Sequence, residues 1–178
     1  MSRNTFGFKQ RPALLLGLTV LVLQMLGWSA QAQVENGQRF KDWMGRCETG
    51  KDDQGKELQV CYISQRLIMK EGKRPVLEVS VGYMQNDKQP AAFFTVPLGV
   101  TLPPGMQIQV DEQKAVRIPF AYCRDSGCIA PMPLNDDIVG QFKAGNKATI
   151  TFIDGLGQRV PVPVSLSGFT AGFNALKP

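Results

Sequence analysis

Apolar and polar residues alternate along much of this chain, most cleanly over Val76–Met84. There Leu77, Val79, Val81 and Tyr83 fall on one face and Glu78 and Ser80 on the other, the period-two signature of a strand with one side buried. Residues 57–69 read the same way, rich in β-branched and aromatic types. So do Ala91–Pro97, Gln107–Val110, Ala115–Tyr122, Gly127–Pro133, Lys147–Ile153 and Gln158–Leu166. Between them lie turn formers at Glu71–Pro75, Asn86–Pro90, Pro103-Pro104-Gly105, Asp111–Lys114 and Asp154–Gly157. The ordered domain begins over residues 38–48, where Phe40 and Trp43 are candidate core anchors. The polar stretch Glu48–Gly55 reads as a loop.

Two segments follow a helical period instead. After Pro133, Asn135 or Asp136 is placed to cap a short helix, with acids near the positive end of its dipole. Leu134, Ile138, Val139 and Phe142 share its apolar face, and Gly145 lies just past its end. Near the C-terminus, Ser167 is placed to cap a helical turn that lines up Phe169, Phe173 and Leu176. Pro161 and Pro163 stand two residues apart, so their missing N–H groups face one side of their strand. An edge strand tolerates that and a central one does not. The sum is about seven to nine short strands and two short helices, which predicts an all-β domain, an Ig-like sandwich or a partly open barrel.

The first 32 residues break this pattern and read as a targeting segment. Arg3, Lys9 and Arg11 precede an apolar run from Ala13 to Leu26, with no acid before Glu35, and Ala30-Gln31-Ala32 offers a small-x-small cleavage site. The run contains Gln24 and falls short of the about 20 apolar residues that a bilayer span needs. A signal peptide over residues 1–32 and one β-rich domain over residues 33–178 are therefore expected; the alternative is an uncleaved N-terminal anchor. Losing Arg3, Lys9 and Arg11 lowers the formal charge from +5 to +2, too little and too scattered to predict a nucleic-acid partner. The short basic cluster Lys70, Lys73 and Arg74 reads as a solvated loop.

Export also sets the meaning of the cysteines. Cys47, Cys61, Cys123 and Cys128 form an even set, which outside the cytoplasm predicts disulfides. Of the three pairings, Cys47–Cys61 and Cys123–Cys128 are preferred because each is local and falls in an apparent hairpin or loop. The spacings suit neither a zinc site nor a CxxC redox motif. The chain has no histidine at all, which excludes Ser-His-Asp and Cys-His centres and histidine-based metal sites. Asp87, Asp111, Glu112, Asp125 and Asp154 fall in turns, where acids are ordinarily solvated. Asp136 and Asp137 are adjacent on a helix and point apart. No catalytic residue, cofactor or metal is expected.

Several of these positions together form a recognisable series. It runs from Asp42-Trp43-x-x-x-Cys47 and Cys61-Tyr62-Ile63-Ser64-Gln65 to Phe120-x-x-Cys123-x-x-x-Gly127-Cys128-x-Ala130. Gly145-x-x-Ala148 and Ser165-Leu166-x-Gly168-Phe169-x-x-x-Phe173-x-x-Leu176 complete it. From about Trp43 to Leu176 the chain resembles the invasion-associated locus B family of exported bacterial proteins. The resemblance implies a β-rich periplasmic or envelope-associated protein of Gram-negative bacteria with no established enzymatic activity. It also implies that the four cysteines form two disulfides, that Trp43 is core, and that Gly127 is the turn residue between the second pair. Tyr62 and Phe120, inside the same series, are expected to join that core.

The function expected from all this is binding without catalysis, with an envelope or membrane protein as partner and peripheral association with a membrane. The expected contact residues are Arg124, Asp125 and Ser126 in the Cys123–Cys128 loop, with Pro103 and Pro104 in the Pro97–Gly105 loop. The alternative is a surface-exposed adhesin or invasion factor that contacts host cells.

Overall fold

The computed structural model describes, apart from Met1, residues 33–52, 54–69, 74–84 and 88–176. The expected signal peptide lies outside them, as do Lys70, Lys73 and Asp87. Strands β1 (Arg39–Phe40), β2 (Trp43–Lys51), β3 (Glu57–Ile68), β4 (Pro75–Tyr83) and β5 (Pro90–Val96) come first. Next are β6 (Met106–Val110), β7 (Val116–Ile118), β8 (Tyr122–Arg124) and β9 (Gly127–Pro133). Helix α1 (Asp136–Ala144), β10 (Lys147–Ile153), β11 (Arg159–Ser165) and helix α2 (Phe169–Ala175) complete the order. The described strands form a large sheet in the order β1-β2-β3-β4-β5-β9-β8 and a small one in the order β11-β10-β6-β7. The eleven strands among the described residues exceed the seven to nine expected, chiefly because β1 and β8 are separate pairings only two and three residues long; β7 falls inside the expected Ala115–Tyr122. So short a pairing leaves no periodic signal in a sequence.

Period two decides which side chains are inside. Leu77, Val79 and Val81 of β4 and Ala92, Phe94 and Val96 of β5 point inward from the large sheet. Ile108, Ile150, Phe152, Val162 and Val164 do so from the small one, and all belong to one buried cluster. Both helices pack on this inner side and close it with aromatic rings. Trp43 is fully buried, 5.4 Å from Phe169 in an edge-to-face contact, and Phe142 meets Phe169 at 5.3 Å. Pro161 and Pro163 lie on β11, at the edge of the small sheet, as their spacing predicts.

Three local expectations need correction. Strand β2 runs on through Glu48–Lys51, and only a tight turn remains. Asp52 forms that turn by accepting from the backbone N–H groups of Gln54 and Lys56 at 2.9 and 2.8 Å, an Asx turn that a polar composition does not distinguish from a longer loop. Ser167 does not cap α2. The cap position is Gly168, at φ 91°, where a Cβ would run into the carbonyl of Phe40; only glycine fits. Finally, Tyr62 is not core. Cys61 and Ile63 face inward, so the pleat turns the intervening Tyr62 to the outer face, where it is half-buried. Asn135, by contrast, caps α1 as expected, accepting from the Ile138 N–H at 2.9 Å.

Candidate functional site

Both expected disulfides are present. Cys47 and Cys61 stand directly opposite each other on β2 and β3, with Cα atoms 4.1 Å apart. Cys123 and Cys128 face each other across the β8–β9 turn, with Cα atoms 3.9 Å apart. All four sulfurs are consumed, so none remains as a thiolate for metal binding or exchange chemistry. In this turn Cys123 is exposed and Cys128 is buried. Gly127, at φ 134°, lies against strand β5, where a Cβ would meet the carbonyl of Val96. The disulfide ties β8 to β9, and the turn lies against the end of β5 through strand pairing and a backbone approach that only glycine permits.

That attachment builds a cleft. Asp125 and Ser126 of the turn line it on one side, and Thr95, Val96, Pro97 and Leu98 on another. Arg66, Arg74, Pro75, Leu77 and Glu78 from the facing ends of β3 and β4 complete it. Its volume is about 350 Å³, inside the range of sites that hold a ligand or a partner's side chain. Leu98 is 57% exposed, and Ile68 and Met69 are also exposed where β3 runs out toward Arg74. The charges balance: Arg66 Nε approaches Glu78 Oε2 at 3.8 Å with both side chains solvated, a pair that contributes little stability.

The structure therefore brings together two of the five expected contact residues, Asp125 and Ser126, with the start of the Pro97–Gly105 loop. Arg124 is exposed but turned aside, its guanidinium 4.8 Å over the ring of Tyr122. Pro103 and Pro104 occupy a separate turn closed by Gly105 N–H donating to Leu102 O at 2.9 Å, and they do not line the cleft. Phe120 is half-buried and packs against the core from its edge. Leu98 falls in the expected Pro97–Gly105 loop, an apolar residue between Pro97 and Gly99 with no strand to bury it. The sequence gives no local signal for Arg66, Arg74 and Glu78 as its partners in one cleft.

A second group of residues holds the two sheets together. Trp43 Nε1 donates to Ser165 O at 3.0 Å, and Gln65 Nε2 donates to the same carbonyl at 3.1 Å. Ser165 N–H donates back to Gln65 Oε1 at 3.1 Å, and its hydroxyl donates to Asp42 Oδ2 at 2.6 Å. Asp42, Trp43, Gln65, Ser165 and Gly168 are all positions of the residue series described above. Their convergence explains that series as architecture: it stitches β11 to β2 and β3.

Among the described residues, the one strongly shifted ionisation lies on the outer face of the large sheet. Burial first, then a hydrogen bond from Tyr62 Oη to Glu48 Oε1 at 2.5 Å and the charge of that carboxylate, push the phenol from 10.0 up to about 12. Glu78 adds to the shift and Arg46 opposes it.

Comparison with known proteins agrees with this architecture. The sequence model of the family described as Invasion associated locus B (IalB) protein matches residues 43–177. Invasion protein B homologs of Brucella abortus, strain 2308 and biovar 1 strain 9-941, are each 23% identical over 139 residues, covering 78% of this chain and 77% of the relative. The crystal structure of invasion associated protein b from Bartonella henselae superposes with a TM-score of 0.65. It is 24% identical, covering 77% of this chain and 91% of that one, and it shares the fold. The family match spans the stitched edge, both disulfides and the closing helix, and the chain belongs to the Invasion associated locus B family.

Proposed function

We propose that this chain is an exported, non-enzymatic binding protein of the bacterial envelope that docks an envelope protein through the cleft beside the Cys123–Cys128 turn. One observation carries the reading: an apolar cleft with exposed Leu98 on its rim has one wall fixed by a disulfide. A rigid wall lowers the entropic cost of binding, because the turn is already ordered before a partner arrives. The oxidised cysteines support a location outside the cytoplasm. The leader-like residues 1–32 support the periplasm as that location, with removal of the leader after Ala32.

A photo-crosslinking amino acid placed at Ser126, and separately at Leu98, tests this in intact cells of the native host. One discrete protein adduct is expected at both positions and none at Arg159 on the far edge of the small sheet. No adduct, or equal labelling at Arg159, overturns the cleft as the docking site. Protease added to intact cells should leave the protein whole until the outer membrane is permeabilised. Digestion without permeabilisation would favour a surface adhesin that meets host cells.

A further inference from the structure

The free edges of the two sheets are closed off unequally. Strand β8 ends the large sheet with three residues, β7 ends the small one with three, and β11 carries Pro161 and Pro163, devices that discourage pairing with another chain. At the other end of the large sheet, β1 pairs only with Trp43 and Met44 of the nine-residue β2. Gly45 is covered as well, its N–H donating to Gln38 O at 2.7 Å and its carbonyl accepting from Gly37 N–H at 2.9 Å. Those two bonds fix the phase of the strand: its odd-numbered residues turn their backbone groups away from β3. The 4.1 Å between the Cα atoms of Cys47 and Cys61 agrees, being the closer spacing of a pair that exchanges no hydrogen bonds. Cys47, Thr49 and Lys51 therefore point their N–H and C=O groups outward, and among the described residues no strand meets them. Arg46 and residues 48–51 are exposed, and no proline interrupts them.

We infer that a second copy of this chain adds to this open edge, β2 against β2, joining two large sheets into one about a two-fold axis at Thr49. Two-fold symmetry makes such a pairing antiparallel and self-complementary. One register uses every outward group: Cys47 opposite Lys51 of the second copy, Thr49 opposite Thr49, and Lys51 opposite Cys47. The same register puts Arg46 opposite Asp52 of the second copy, twice by symmetry, so that opposite charges meet across the strands. It sets Glu48 opposite Gly50, whose Cβ position has no neighbour within 4 Å. Glu48 meanwhile keeps the Tyr62 hydroxyl of its own copy. Sliding two residues one way would set Glu48 against Glu48, and the other way Glu48 against Asp52. Sliding one residue takes the outward groups out of phase. Over residues 46–52, Arg46 and Lys51 balance Glu48 and Asp52, so two copies meet without net repulsion. The contact is one strand wide, which suits a reversible dimer and not a permanent one. None of these residues lines the cleft beside the Cys123–Cys128 turn, so either surface can fail without the other.

Sedimentation velocity of the exported protein, with both disulfides formed, tests this over a micromolar to near-millimolar range. A concentration-dependent dimer is expected. Thr49→Pro removes an N–H that the β2–β3 ladder does not use, so it should weaken the dimer about tenfold or more while the thermal midpoint stays at the parent's. Asp52→Asn keeps the acceptor of the turn but not the charge, and should weaken the dimer about threefold. Oxidation after folding reads the register separately. Thr49→Cys should give a disulfide-linked dimer, because its two copies stand face to face at about 5.5 Å between Cα atoms. Lys51→Cys should not, its two copies lying about 13 Å apart along the strands. If Thr49→Pro lowers the thermal midpoint, the cysteine pair alone decides. A single-chain mass at every concentration, a dimer unmoved by a folded Thr49→Pro, or equal crosslinking at both cysteine positions overturns the inference. So does a photo-crosslink from Thr49 to a different envelope protein while the parent stays single, which would assign the edge to that protein's strand.

Discussion

The stitched edge around Ser165 and the cleft around Ser126 are both built from residues of the family series or their neighbours, yet they are held in opposite ways. At the edge, Trp43, Gln65 and Asp42 converge on one residue of β11, and buried polar atoms there find partners within 3.1 Å. At the cleft, Asp125, Ser126 and Leu98 are exposed, and a disulfide together with Gly127 does the positioning. The contrast teaches that one series of residues does two kinds of structural work in this fold. One set joins the sheets, and the other holds a turn in place while its side chains stay exposed.

Perturbing Trp43 should separate the two regions most sharply. Trp43→Ala removes a fully buried ring and one of the two donors to Ser165, so a loss of about 3–5 kcal/mol is expected by urea denaturation. A loss below about 1 kcal/mol would show that the edge does not bear on global stability.

The disulfides should come next, and unequally. Replacing Cys47 and Cys61 together by Ala opens a loop with a sequence separation of 14 and should cost about 3 kcal/mol. Replacing Cys123 and Cys128 opens one of 5 and should cost about 2 kcal/mol. The second pair should nonetheless cost more in crosslinking at Ser126. If the order of crosslinking losses reverses, the cleft's wall does not depend on its own disulfide.

Smaller still is the contrast between Gln65→Ala and Ser126→Ala. The first leaves Ser165 N–H without its partner and should cost about 1–2 kcal/mol. The second, at an exposed turn, should fall within about 0.5 kcal/mol of the parent. Equal effects would erase the distinction drawn above.

The smallest expected effect concerns pH. The Tyr62 phenol is held at about 12 against 10.0 when unfolded. Its contribution to stability is therefore complete below pH 10 and is lost as pH rises through 12. Absorbance at 295 nm should show a late-titrating component that Tyr62→Phe removes, and that variant should lose less stability over the same alkaline interval. A titration complete by pH 11 in the parent would count against the Glu48 contact.

Much of the secondary structure was legible because its causes are local. Alternation along β4 and β5, the Asn135 cap and the paired prolines of β11 each act within a few residues, so each leaves a readable pattern. Tyr62 was misplaced for a reason the same rule supplies: between two inward residues of a strand, the pleat allows only the outward direction. The start of α2 was misread because Ser167 is a good capping type, while the need for glycine at 168 comes from Phe40, far away in sequence. Of the cleft, the Cys123–Cys128 loop was legible, but its facing wall was not.

What the sequence determined by itself was the faces of its strands, the pairing of neighbouring cysteines and the edge position of the proline-bearing strand, all consequences of periodicity and short separation. The tertiary structure alone decided that Gln65 would meet Ser165 across 100 residues of chain. It also decided that Arg74 and Ser126 would line one cleft, and that the Lys51 end of β2 would lie at an open sheet edge among the described residues. Those relations depend on strand order and on the register between strands distant in sequence. Long-range hydrogen bonds and packing fix both, and neither imposes a repeating pattern on the residues that satisfy it.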